Sequence, residues 1–171
     1  MKHCTNEILN QRALDVAQRT IAAPPAESLI PVVGFVLFPE HYAVEVLYVK
    51  EVLKLHDITP LPGTPPFVAG VVNYRGSILS VLNLKTLFGL TGRGLTELNK
   101  IVVLRHDDME FGVLADSITG NHSLQADQLA PPPLHTDFAG LGFLKGTTPD
   151  GTILLDAYQM LKSNKLIVNQ K

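Results

Sequence analysis

The chain has 171 residues, 46% of them hydrophobic and 18% charged, which is enough apolar material for one packed domain or two small ones sharing a core. A net charge of −2, from 14 Lys+Arg against 16 Asp+Glu with no basic run, argues against a nucleic-acid binder, which would show a basic face and aromatic platforms. The single cysteine, Cys4, excludes an intramolecular disulfide framework, and no window approaches the ~18 uninterrupted apolar residues of a membrane helix, so the expectation is a cytoplasmic protein.

In chain order, residues 5–21 place Leu9, Ala13, Val16, Ala17 and Ile21 at helical spacing, with Thr5 or Asn6 able to cap the start. Ala23-Pro24-Pro25-Ala26 then stops the pattern. An amphipathic helix of this kind either lies on the protein's own body or docks on a partner, and amphipathicity alone does not separate the two. Residues 1–30 are read as this helix and a proline-rich linker, and residues 31–165 as the folded domain.

From residue 31 short strand-like runs alternate with turns, at 32–38, 42–48, 67–72, 77–84, 100–104, 111–118 and 152–155. Pro39-Glu40-His41 and His106-Asp107-Asp108 are turns, and short helices are expected around 85–88 and 158–162. Such texture predicts barrels or sandwiches in place of a parallel sheet. An internal echo accompanies it. The hairpin 35–46 resembles 101–115, and Phe67-Val68-Ala69-Gly70 is matched by Phe143-Leu144-Lys145-Gly146. Each of those is followed by a glycine turn (Gly76, Gly151), an Ile-Leu pair (Ile78-Leu79, Ile153-Leu154) and Asn83 or Asp156. Two similar halves are expected, each a small barrel too slight to stand alone. Residues 89–99 and Pro131-Pro132-Pro133 read as irregular connections.

The chemistry-bearing motifs are sparse. There is no G-x-x-x-x-G-K-[ST] and no G-x-S-x-G, and the 6 histidines form no i, i+4 pair and no pairing with cysteine. Asp107-Asp108 and Pro149-Asp150-Gly151 are turn chemistry. With no catalytic, metal or cofactor constellation, the weight falls on a binding or scaffold role. The residue that carries the argument is Arg75, in the turn Asn73-Tyr74-Arg75-Gly76 between two apolar runs. A guanidinium held there is either paired with a carboxylate or presented to another molecule.

A further set of motifs runs through residues 31–162: Val33-Gly34-Phe35-Val36-Leu37-Phe38, Tyr42-Ala43-Val44-Glu45-Val46, Val49-Lys50-Glu51-Val52 and Ile58-Thr59-Pro60-Leu61-Pro62. It continues through Gly70-Val71-Val72-Asn73-Tyr74-Arg75-Gly76, then Phe111-Gly112-Val113, Asp116-Ser117-Ile118 and Leu144-Lys145-Gly146. In these residues the chain resembles the CheW-type coupling proteins of bacterial chemosensory arrays. The resemblance implies two SH3-like five-stranded β-barrels sharing a hydrophobic interior, with a few short helices. It also implies a non-catalytic adaptor between the cytoplasmic tips of chemoreceptors and the regulatory domain of a histidine kinase. By position it nominates Val46, Val49, Glu51, Asn73, Arg75 and Gly76 as partner-binding residues. Gly70 and Gly146 join them, as positions where only a minimal side chain suits a turn. Asn83 stands where the family commonly has Asp, which keeps a cap and loses a charge. The alternative within the family is a CheW-like regulator of a related pathway such as twitching motility.

Overall fold

The computed structural model describes residues 28–91, 94, 96, 98–132 and 142–166, so the expected helix at 5–21 lies outside the described residues. The strands are β1 (Leu29–Leu37), β2 (Glu40–Glu45), β3 (Val49–Lys54), β4 (Val68–Tyr74), β5 (Ser77–Leu82), β6 (Lys100–His106), β7 (Met109–Ala115), β8 (Ser117–Gln125), β9 (Leu144–Thr147) and β10 (Ile153–Leu155). Two short helices follow the β5 and β10 strands: α1 (Leu84–Leu87) and α2 (Ala157–Lys162). The strands form two five-stranded sheets, ordered β8-β1-β2-β10-β9 and β3-β6-β7-β5-β4.

The two sheets have the same topology strand for strand. The hairpin β1-β2 corresponds to β6-β7, β8 to β3, and β9-β10 to β4-β5. Parallel pairing of β10 with β2 repeats as β5 with β7. The echo in the sequence is therefore structural, with two changes. Neither half of the chain builds a barrel by itself: β1 and β2 pair with strands from the second half, and β6 and β7 with strands from the first. The cause is the 3-10 turn Val46–Tyr48, which carries the chain straight from β2 into β3 and is too short to fold it back. Second, the pairing makes Val81-Leu82 equivalent to Leu154-Leu155, so the Ile78-Leu79 and Ile153-Leu154 match is out of register by two positions. Asn83 and Asp156 are true equivalents. Each caps its helix: Asn83 accepts from the Lys85 and Thr86 amides, and Asp156 from the Gln159 amide.

Burial follows from the arrangement. Val33, Phe35 and Leu37 of β1 and Val102 and Leu104 of β6 point into one core between the two sheets, which Phe111, Phe143 and Met160 complete. The opposite face of β6, Ile101 and Val103, lines the interior of the second barrel with Val72, Leu79 and Val81. Buried on both faces, β6 reads as the unbroken apolar run Ile101-Val102-Val103-Leu104 and does not alternate. The first barrel is less apolar inside. Where the second has the facing pair Val72 and Leu79, the first has Thr148 and Thr152, whose hydroxyls bond the Asp150 carboxylate.

β3, β8 and β9 were not anticipated as separate strands. β3 alternates half-buried and exposed residues, and β8, Ser117-Ile118-Thr119-Gly120-Asn121, is largely polar and exposed. β8 is ordered by its ladder to β1 and not by an apolar face of its own.

Candidate functional site

The β4-β5 hairpin closes through Arg75 and Gly76, both at positive φ (53° and 83°), with Tyr74 opposite Ser77. This is the two-residue turn whose twist matches the flanking strands. Asn73 accepts a hydrogen bond from the Gly76 amide through its Oδ1 (3.1 Å), which steadies the turn from within.

Thus fixed, Arg75 reaches across to β3. Its Nη2 donates to Glu51 Oε2 at 2.6 Å, yet the side chain stays 72% exposed. The guanidinium is both paired and presented: one edge is spent on Glu51 and the remaining donors face solvent. Its body lies 5.5 Å from the centre of the Tyr74 ring, and Lys50 Nζ lies 5.0 Å from the same ring. Lys50 also bonds Glu110 of β7 at 2.9 Å, and that bond holds its ammonium above its ordinary pKa. The Glu51 carboxylate, followed by burial, raises the Tyr74 phenol, which stays protonated. Tyr74 Oη and Glu51 Oε1 are both sealed from solvent without a hydrogen bond of standard geometry.

β3 and β4 are the two ends of the hydrogen-bonded order, and here they face each other across a groove of about 480 Å³. Val52, Leu53, Val72 and Ile101 give it an apolar floor, and Glu51, Lys54, Asn73 and Arg75 a charged and polar rim. A separate groove of about 430 Å³ lies over the turn between the barrels, lined by Leu47, Tyr48, Val49, Arg105 and His106. Tyr48, His106 and Tyr158 stack there edge to face.

Of the nominated residues, Glu51, Asn73, Arg75 and Gly76 come together at one end of the second barrel. Val49 belongs to the other groove and packs partly against the main core, and Val46 lies 37% exposed in the 3-10 turn. Gly70 and Gly146 are not in turns and present nothing to a partner. They occupy equivalent mid-strand positions, opposite Val81 and Leu154, and both are buried. A Cβ on Gly70 would stand 2.4 Å from the Thr59 carbonyl oxygen, and one on Gly146 3.0 Å from that of Ala130. Both glycines admit a crossing backbone, paired as Thr59 with Val71 and Ala130 with Thr147.

Sequence reasoning missed Tyr74, Lys50 and Leu47 as parts of the site. Tyr74 was legible as an aromatic beside an arginine. Leu47, 78% exposed, was hidden inside an apparent strand that the structure breaks at residue 46. Among the described residues no group of His, Cys, Asp and Glu could hold a metal ion, and no helix is long and apolar enough to cross a membrane. The grooves thus offer apolar surface with an oriented rim of charge, the chemistry of holding another macromolecule.

Comparison with known proteins agrees with that chemistry. The family described as CheW-like domain matches residues 31–165. A protein named Chemotaxis protein CheW from Treponema pallidum is 29% identical over 141 residues, covering 78% of this chain and 83% of that one. Protein FrzA of Myxococcus xanthus is 31% identical over 119 residues, covering 70% of this chain and 73% of its own. Among solved structures, the scaffolding protein TtCheW of Thermoanaerobacter tengcongensis superposes with a TM-score of 0.68 at 29% identity, over 79% of this chain and 94% of that one.

Proposed function

The chain belongs to the CheW-like domain family, and we propose on that footing that it is a cytoplasmic, non-catalytic adaptor coupling chemoreceptors to a chemotaxis histidine kinase. The observation that carries this reading is the Arg75–Glu51 pair: a guanidinium steered by a carboxylate yet 72% exposed, at the lip of an apolar groove. A groove of this kind receives the apolar stripe of a helix, while the rim charges set its orientation and register. A receptor's cytoplasmic tip, a helical hairpin, is the partner proposed for it, and the kinase's regulatory domain is the second partner. The relatives named as chemotaxis and scaffolding proteins support the same role.

The test is a pull-down with the cytoplasmic fragment of a chemoreceptor and, separately, with the regulatory domain of the kinase. Binding to both is the expected result. Kinase binding alone would favour the second reading, a CheW-like regulator of a related pathway, which the similarity to FrzA keeps in view. Binding to neither would refute both.

A further inference from the structure

We propose that Tyr74 is a positioning residue for the partner-facing Arg75: it holds one oxygen of the Glu51 carboxylate so that the other stays aimed at the guanidinium. This role rests on the adaptor reading above and adds to it the group that orients Arg75.

An exposed arginine paired through one edge makes a weak and mobile ion pair. Arg75 is 72% exposed, so it keeps a single orientation only if the Glu51 carboxylate is itself fixed. The backbone of β3 brings that carboxylate to Tyr74. Val49 pairs with Leu104 and Glu51 with Val103, which leaves Lys50 as the extra residue of a bulge. In a regular strand Lys50 and Glu51 would point to opposite faces. A bulge re-aims side chains, and here both of these consecutive residues reach Tyr74.

Tyr74 is held by packing. It is the last residue of β4, 6% exposed, and its ring belongs to the cluster inside the second barrel with Val72, Leu79 and Ile101. Lys50 Nζ and the Arg75 guanidinium lie against the ring, and Lys50 is anchored in turn by Glu110 of β7. The phenol oxygen and Glu51 Oε1 are both shut off from water, and among the described residues neither meets standard hydrogen-bond geometry with any group. The Glu51 carboxylate is nonetheless the largest cause holding the phenol above its ordinary pKa, so the two groups lie against each other. A phenol O–H is the donor that this sealed carboxylate oxygen lacks. With Oε1 against Tyr74, Oε2 is left to accept from Arg75 Nη2 at 2.6 Å. A carboxylate held at both oxygens has little freedom left to lose when a partner arrives, and that preorganisation favours binding.

The test is calorimetric titration of the chemoreceptor fragment against the wild type, Tyr74→Phe, Arg75→Ala and the double variant. Tyr74→Phe keeps the ring and removes the donor. It should weaken binding about fivefold in the wild type and add nothing in the Arg75→Ala background. An unchanged affinity overturns the role, and so does an equal loss in both backgrounds, which would mean that Tyr74 acts by packing alone. Two NMR readouts need no partner. With isotope-labelled arginine, rotation of the Arg75 guanidinium should be slow in the wild type and fast in Tyr74→Phe; equal rates overturn the positioning. The Tyr74 phenol should titrate above its ordinary value of about 10 in the wild type and fall in Glu51→Ala. A phenol unmoved by that change overturns the contact even if Tyr74→Phe does not fold. Failure of the wild type to bind the receptor fragment, with slow rotation that Tyr74→Phe releases, would sink the adaptor reading and leave the role of Tyr74 in place.

Discussion

Replacing Gly70 by alanine separates frame from surface more cleanly than any change at the rim. The added Cβ would stand 2.4 Å from Thr59 O and 2.8 Å from Thr59 C, both backbone atoms, and φ at this position is +149°. Backbone strain of an L-residue held at positive φ costs about 1–2 kcal/mol. Overpacking against a backbone that cannot rotate away costs about 1–3 kcal/mol more. If the exposed segment around Thr59 lifts instead, the bonds Thr59 N to Val71 O (2.8 Å) and Val71 N to Thr59 O (2.9 Å) are given up. Each is worth about 1 kcal/mol. The first route totals roughly 2–5 kcal/mol and the second, with the strain retained, roughly 3–4, or about 10 °C in Tm for a domain of this length. Gly76→Ala is the control: its φ is +83° but nothing lies within 4 Å, so only the strain of about 1–2 kcal/mol applies. Urea unfolding followed by circular dichroism reads both. Equal losses in the two variants, or a Gly70→Ala loss under about 1 kcal/mol, would refute the account of Gly70 as a gap for crossing backbone.

Arg75→Ala should cost under about 1 kcal/mol of stability, since its pair with Glu51 is solvent-exposed, while affinity for the receptor fragment falls about tenfold; calorimetric titration beside a thermal melt checks both. Asp116→Ala should be severe, at about 3 kcal/mol in urea unfolding. It strips the buried Lys85 of its 2.5 Å partner, leaves the Phe38 amide without its acceptor, and takes from Asn99 Nδ2 one of its two acceptors, the other being the Ala115 carbonyl. Asn83→Asp, which restores a charge at the cap of α1 while keeping the acceptor for the Lys85 and Thr86 amides, should stabilise by about 0.5 kcal/mol in the same assay. Hydrogen bonds from Thr148 and Thr152 hold the Asp150 carboxyl below its ordinary pKa. Their contribution is therefore present above the unfolded carboxyl value of about 3.9 and fades as pH falls through the lower folded one. Asp150→Asn should flatten that part of the acid limb, and a carboxyl titration by NMR would show the shift directly.

What the sequence determined by itself is what short-range physics dictates. Period-two runs and their turns placed most strands, and the short helices near 85–88 and 158–162 were legible too, since their caps, Asn83 and Asp156, make contacts within three residues. The echo was legible for the same reason: equivalent turns need equivalent residues. The Arg75 turn was legible as a candidate site because a charge between apolar runs demands an explanation. Only the tertiary structure decided which strands pair. Both sheets draw on both halves of the chain, and pairing energy lies in contacts between distant residues that no local pattern records. It also decided that Glu51 is the carboxylate that meets Arg75 among the described residues, and that Val49 faces a different groove. Gly70 and Gly146 make the limit plain. A glycine in a strand announces that something comes close, but what comes close is a backbone segment from elsewhere in the fold, and only the folded chain brings it there.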